Sequence, residues 1–213
     1  MKRLITAALA AFFVLIVSGA LVHINNNQAV ADVTLANPVV KVALERGHGS
    51  ATHIGNGYYV TAAHVVADKG EITLKDSAGE TEKAEVLWYS RKYDIALLRS
   101  EMRVQKAGLE CRRPAFRENL ELRGNPINLE HISTWGRVAG GVKTLENAWH
   151  KVLPIDGSIA GGMSGGGVFD LDGDLVGVNV GAMVQPMGLY GTFVGISYIV
   201  PADVVCDLMG MSA

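Results

Sequence analysis

Basic runs, metal-spaced cysteines, long amphipathic helical patterns and low-complexity tracts are all missing from this sequence, and each absence removes a class of protein. The formal charge is −2, with no lysine- or arginine-rich stretch, so a nucleic-acid partner is not expected. Cys111 and Cys206 are the only cysteines, and a thiol pair kept for a metal would need closer spacing or further ligands. His48, His53, His131 and His150 have no matching partners either, and surface or strand positions explain them better than metal binding. Asp170-Leu171-Asp172-Gly173-Asp174 looks like a calcium loop at first sight. It lacks glycine at the sixth loop position and glutamate at the twelfth, which are Leu175 and Gly181, so a polar hairpin turn around Asp172-Gly173 is the better reading. No metal or cofactor is expected. No internal repeat emerges from the sequence.

What is present suits one globular unit, or two small ones packed together: 213 residues, 49% hydrophobic and 19% charged. The first 31 residues carry Lys2 and Arg3 and no acid, which leaves the remainder with 17 basic and 21 acidic residues, net −4. Behind the two basic residues runs an uncharged stretch, Leu4 to Val22, followed by the small residues of Ala29-Val30-Ala31. This is the pattern of an export signal, residues 1–31. The stretch would span roughly 28 Å as a helix, so an N-terminal membrane anchor through residues 4–22 is the competing reading. Both readings put residues 32–213 outside the cytoplasm, either periplasmic or secreted, or anchored with the body on the far side, because Lys2 and Arg3 hold the N-terminus inside. Export also bears on the cysteines. In an oxidising compartment Cys111 and Cys206 commonly pair, the alternative being two separate buried thiols.

From there to the last dozen residues the chain consists of short apolar or alternating segments. They are Val39–Ala43, Tyr58–Thr61, Glu71–Leu74, Ala84–Tyr89 and Ile95–Leu98, then Leu120–Leu122, Ile132–Val138, Val168–Phe169, Leu175–Val180 and Phe193–Val200. Breaks such as Gly55-Asn56-Gly57, Asp68-Lys69-Gly70 and Gly140-Gly141 separate them, and with 25 glycines the pattern predicts an all-β barrel or sandwich. Pro201-Ala202-Asp203 opens a short terminal helix reaching Met209. The densest polar interruption, Arg99 to Asn119, reads as a linker between two halves.

Three residues carry the chemical signal. Ser164 sits in Gly161-Gly162-Met163-Ser164-Gly165-Gly166-Gly167, a bare turn that would let a carbonyl approach and let backbone N–H groups face a developing oxyanion. His64 follows an apolar strand among small residues, Val60-Thr61-Ala62-Ala63. Asp94 heads the apolar Ile95-Ala96-Leu97-Leu98, where an unpaired carboxylate would be costly to bury. Chain order then discriminates. Gly162-x-Ser164-x-Gly166 fits the nucleophile elbow of α/β-hydrolases, but that fold needs a histidine after the serine, and none follows His150. Subtilisin order needs an Asp before His64, where only Asp32 is available. His64, Asp94, Ser164 is the order that survives.

These segments together resemble the trypsin-like peptidases, specifically the protease domain of the HtrA/Deg family. The resemblance rests on Gly57-Tyr58-Tyr59-Val60-Thr61-Ala62-Ala63-His64-Val65 and on Tyr93-Asp94-Ile95-Ala96-Leu97-Leu98. Arg123-Gly124-Asn125-Pro126, Ser133-Thr134-Trp135-Gly136-Arg137-Val138, Gly162-Met163-Ser164-Gly165-Gly166, Gly173 to Asn179 and Gly195 to Pro201 extend it, so that it covers about Gly47 to Asp207. It implies an all-β, chymotrypsin-like fold: two six-stranded antiparallel β-barrels packed together, with a short C-terminal helix. The first barrel is expected at about 36–99, the linker at about 100–118, and the second barrel with the closing helix at about 119–213. The implied activity is a serine endopeptidase acting on polypeptides, with His64, Asp94 and Ser164 as triad and the N–H groups of Gly162 and Ser164 as oxyanion hole. Ser158, Val180, Gly181, Ala182 and Gly195 would bind substrate, with small or medium apolar residues preferred at the cleaved position. Asp156, beside Ser158, reads as structural or substrate-lining. The resemblance places Cys111 in the linker and Cys206 in the closing helix, a reasonable site for a disulfide.

Three departures stand out. Met163 replaces the usual Asn or Asp before the serine, so activation through an ion pair to a newly cut N-terminus is not expected. Gly167 replaces a usual proline and is expected to loosen the loop. No PDZ domain follows the closing helix, so control by such a domain is not carried over; oligomer formation is left open. Met163 also motivates the alternative to an enzyme, a catalytically silent peptide-binding or holdase relative.

Overall fold

Two closed antiparallel barrels of six strands each form the framework of residues 37–146, 148–187 and 190–211, the residues that the computed structural model describes. Residues 1–31, read above as an export signal or anchor, lie outside them. Among the described residues no helix is long and apolar enough to cross a membrane.

The first barrel holds β1 (Val39–Ala43), β2 (His48–Gly55), β3 (Tyr58–Ala62), β4 (Ile72–Lys75), β5 (Thr81–Ser90) and β6 (Ile95–Ser100), in the order β1-β2-β3-β6-β5-β4. The second holds β7 (Asn119–Gly124), β8 (Ile132–Val138), β9 (Leu153–Asp156), β10 (Gly167–Phe169), β11 (Leu175–Met187) and β12 (Tyr190–Pro201). Its order, β7-β8-β9-β12-β11-β10, repeats that of the first. The duplication is thus topological. It is invisible as a sequence repeat because a barrel strand needs a burial pattern and closure rather than particular residues.

Two strands escape the sequence reading. β2 is lined by Ser50, Ala51, Thr52 and His53, all buried, yet it offers no large apolar periodicity. β9 is Leu-Pro-Ile-Asp, and its proline disguises a strand that nevertheless pairs with β12 at four positions. In the other direction, β11 and β12 run past the apolar pattern. Beyond Ala182 and before Ile196 they pair only with each other, so the ribbon projects from the barrel with Met183, Val184, Phe193 and Val194 exposed.

Pleat alternation builds the cores. Ile199 points into the second barrel with Leu120, Leu122, Leu153, Ile155 and Val176. Its neighbours Tyr198 and Val200 face the other way, into a cluster shared with the first barrel and the closing helix Ala202–Leu208. The linker is fastened along this side. Leu109 bridges Leu175, Arg112 bonds Glu118 and Asp170, and Arg113 pairs with Asp203 of the helix. Asp170 also accepts the N–H groups of Asp172 and Asp174, which closes the polar hairpin turn between β10 and β11.

Cys111 and Cys206 form a disulfide, with Cα atoms 5.7 Å apart, that ties the linker to the closing helix across 95 residues. Cross-linking so long a segment restricts the unfolded chain strongly. Cys206→Ser should therefore lower unfolding free energy by about 2–5 kcal/mol, measured by denaturant titration, and dithiothreitol should reproduce the loss in the unmodified protein.

The barrels are also joined by Glu130, in the loop between β7 and β8. Lys41 of β1 and Lys75 of β4 both donate to its carboxylate, at 2.7 and 2.9 Å. These bonds, that of Lys41 foremost, hold the Glu130 carboxyl down to about 2 from 4.5. Because the folded value is the depressed one, the clasp is at full strength above about pH 4.5 and fades as pH falls toward 2. The stability difference between the wild type and Glu130→Gln should be constant above pH 5 and shrink through that window in pH-dependent urea unfolding.

Candidate active site

The site begins at the end of β3, where Ala62 leads into a single helical turn, Ala63–Val66. Ala62 and Ala63 are buried, and their small side chains admit a close neighbour. Ala62 supplies no side-chain cap, so the first N–H groups of the turn need acceptors from elsewhere. Asp94 provides them. Its carbonyl accepts the Ala63 N–H at 3.1 Å, and its Oδ1 accepts the His64 backbone N–H at 2.8 Å. Its Oδ2 meets His64 Nδ1 at 2.6 Å. The Asp94 side chain is 3% exposed and that of His64 45%. A carboxylate can only accept, so Nδ1 carries the proton and Nε2 is left as the basic nitrogen on the open side. Asp94 makes these contacts from a left-handed backbone conformation, φ 56°, which Asp tolerates better than most residues.

Ser164 approaches from the second barrel on the Gly161–Gly167 turn. Gly162 and Gly165 have φ of 98° and 85°, the region that suits glycine. At Gly165 a Cβ would run into Ser50 O and Thr61 Oγ1. Met163 is 1% exposed and belongs to the second barrel's core, so an apolar anchor stands where the resemblance leads one to expect a polar residue. Gly167, expected to loosen the loop, lies inside β10 opposite Val178, and Phe169 and Leu175 fill the space a side chain would take.

Four further residues hold the turn. Ser50 of β2 donates its N–H to Ser164 O at 2.8 Å and its hydroxyl to Gly162 O at 2.8 Å, and accepts both the N–H and the Nδ2–H of Asn125 at 3.0 Å. His48 Nε2 donates to Asn125 O at 2.8 Å and abuts Gly162. Asn179 takes the Gly165 N–H on its carbonyl at 2.7 Å and returns its own N–H to Gly166 O at 2.9 Å. Trp149 lies with its ring centroid 6.4 Å from that of His64. None of these was singled out as a site residue from the sequence. A buried polar residue in a strand without apolar pattern (Ser50) is a weak signal at most, and nothing local marks Trp149.

The two elements converge at Gly49, where a Cβ would stand 2.5 Å from Val65 and 3.2 Å from Ser164 O. The Ser164 hydroxyl makes no hydrogen bond to His64 or to any other described residue. Nor do the N–H groups of Gly162 and Ser164 donate to any described residue, which leaves both uncommitted.

Beside Ser164 opens a cavity of about 590 Å³. Ser158, Gly181 and Ala182 line it, together with Ala160, Met163 and, on the projecting ribbon, Val184 and Phe193. Among the described residues no charged one does. Val180 and Gly195 are not among the lining residues; Val180 is packed in the shared core, 1% exposed. The assembly combines an oriented base, a serine on the turn that converges with it at Gly49, two uncommitted N–H donors and an uncharged recess, which suits acyl transfer.

A model of the trypsin-like peptidase domain matches residues 49–178. Among curated proteins the chain is similar to probable periplasmic serine endoproteases, DegP-like. That of Halomonas elongata is 30% identical over 160 residues, and that of Pseudomonas putida is 31% identical over 157. Each alignment covers 72% of this chain and 32% of the relative, so the chain spans about a third of those proteins' length. Among solved structures, a serine endoprotease from Yersinia pestis superimposes with a TM-score of 0.71 at 26% identity, over 86% of this chain and 65% of that one. The HtrA-type protease AlgW with tripeptide gives 0.73 at 24% identity, over 84% and 61%, and is evidence for the fold alone.

Proposed function

The chain belongs to the trypsin-like peptidase family, and from that premise we propose that it is a serine endopeptidase acting outside the cytoplasm, with His64, Asp94 and Ser164 as its triad. The observation that carries the reading is the buried Asp94 carboxylate, bonded to His64 at both Nδ1 and the backbone N–H. One side chain thereby fixes the position of the histidine and the tautomer of its ring.

In the proposed reaction Ser164 Oγ attacks the scissile carbonyl carbon while His64 Nε2 takes its proton. Asp94 stays ionised and stabilises the imidazolium. The carbonyl oxygen, now an oxyanion, is received by the N–H groups of Gly162 and Ser164, worth roughly 2.7–4 kcal/mol per donor. Collapse breaks the C–N bond, and His64 returns the proton to the departing amine. Water then repeats the sequence on the acyl-enzyme. The core-anchored Met163 supports a turn that needs no ion pair to a new N-terminus. Export is supported by the periplasmic relatives and by the character of residues 1–31.

The uncharged recess favours small or medium apolar residues at the cleaved position. A peptide-library digest should therefore show cleavage after residues such as Ala, Val or Leu, with fluorophosphonate labelling of the same sample reporting the nucleophile. Strict cleavage after Arg or Lys would overturn the specificity, and a folded protein that neither labels nor cleaves would overturn the activity.

A further inference from the structure

Trp149 lies near both halves of the proposed machinery, beside the His64 ring and over Gly181. Its loop, between β8 and β9, is closed on itself by the Leu145 N–H to Trp149 O bond at 2.8 Å and by the Lys143–Val152 bridge. It is also tied to the first barrel, because the His150 N–H donates to Lys92 O at 3.0 Å, two residues before Asp94. So held, the half-buried indole lies beside the rings of His64 and Tyr198, each at 6.4 Å between centroids. Its edge covers Gly181, where a Cβ would collide with the ring; Cζ3 would be 2.8 Å away. Gly181 also lines the cavity next to Ser164, so the indole adjoins both a wall residue of that cavity and the histidine.

The geometry of an extended substrate gives this position a meaning. Successive side chains of an extended chain point to opposite sides. If the cleaved residue places its side chain in the cavity, the residue before it points away, toward His64 and Trp149. We infer that Trp149 is a specificity-determining residue, forming the wall that selects an apolar side chain one position N-terminal to the cleaved residue. The inference rests on the endopeptidase reading. The close fit over Gly181 also makes the two residues a unit: only glycine there leaves room for the indole.

The test compares the full chain with Trp149→Ala, Trp149→Phe and Gly181→Ala. Peptides carry a fixed apolar residue at the cleaved position and Leu, Val, Gly, Asp or Lys before it. The wild type should prefer Leu and Val by about tenfold or more in kcat/KM, and Trp149→Ala should lose that preference. Trp149→Phe should keep most of it. Gly181→Ala should reproduce the loss, since its Cβ displaces the ring, and adding Trp149→Ala to it should cost nothing more. Fluorophosphonate labelling, whose probe has no group at that position, should persist in the Trp149 variants that fold, and in Gly181→Ala, which also lines the cavity, the labelling rate normalises the peptide turnover. An unchanged preference in labelled Trp149→Ala or Gly181→Ala would overturn the inference while leaving the endopeptidase reading intact. So would a uniform rise in turnover on all peptides, which would make the ring an obstruction. A wild type that neither labels nor cleaves would overturn both. If Trp149→Ala does not fold by circular dichroism, Gly181→Ala and Trp149→Phe decide the matter.

Discussion

Ser164→Ala should abolish fluorophosphonate labelling and lower turnover on a protein substrate by a factor on the order of 10⁶, with almost no change in stability. The second half of that expectation makes the first informative. The Ser164 hydroxyl has no hydrogen-bond partner among the described residues, so its removal strands no donor or acceptor. What holds the turn is its backbone and its neighbour: Ser50 N to Ser164 O, Gly165 N to Asn179 O, and Met163 in the core. Surface-type losses within roughly 0.5 kcal/mol are expected on urea unfolding. A mutant that unfolds would show that the loop depends on the hydroxyl. A folded mutant that keeps its turnover would remove Ser164 as nucleophile. If the wild type itself is folded and does not label, the silent peptide-binding relative becomes the better description.

Asp94→Asn should keep the fold and lower turnover by about 10⁴. Asparagine tolerates the left-handed conformation at this position about as well as aspartate. Its side-chain oxygen can still accept the His64 backbone N–H. The other side-chain atom, however, changes from an acceptor at 2.6 Å from Nδ1 to an NH₂ donor. Nδ1 must then be the acceptor, the proton moves to Nε2, and the nitrogen that should take the Ser164 proton already carries one. Asp94→Ala should be worse in a separable way. It removes the acceptor at the start of the helical turn, about 1 kcal/mol, and puts alanine in the left-handed region, roughly 1–2 kcal/mol more. Active-site-titrated turnover beside thermal unfolding would separate the two losses. Equal turnover for wild type and Asp94→Asn would show that His64 is oriented by something else.

Most of the strand pattern was legible because strands with large apolar residues at a period of two announce themselves. Val39–Ala43 and Ile132–Val138 were bounded as the structure has them, and eight others to within a few residues at one or both ends, or further along the projecting ribbon. β2 was not legible, since Ser50, Ala51, Thr52 and His53 are small or polar yet buried there, with Ser50 hydrogen-bonded to Gly162 O, rather than forming an apolar pattern. That strand is also the one on which the serine turn hangs, so its absence from the reading hid Ser50, His48 and their link to Gly162 and Asn125.

The sequence by itself determined what is local or ordered along the chain: the glycine-bracketed serine, the acid at the head of an apolar strand, the histidine after another, and the order in which they come. These are legible because turns, strands and topological order are written in neighbouring residues. Tertiary structure alone decided which distant groups meet. It put Asp94 at the start of the His64 turn, made Met163 a core anchor, kept Val180 out of the cavity, and laid Trp149 over Gly181. The physical reason is that these contacts join residues 30 or more positions apart, or separate barrels, and are fixed by barrel closure and by how two barrels pack. No short-range pattern encodes that geometry.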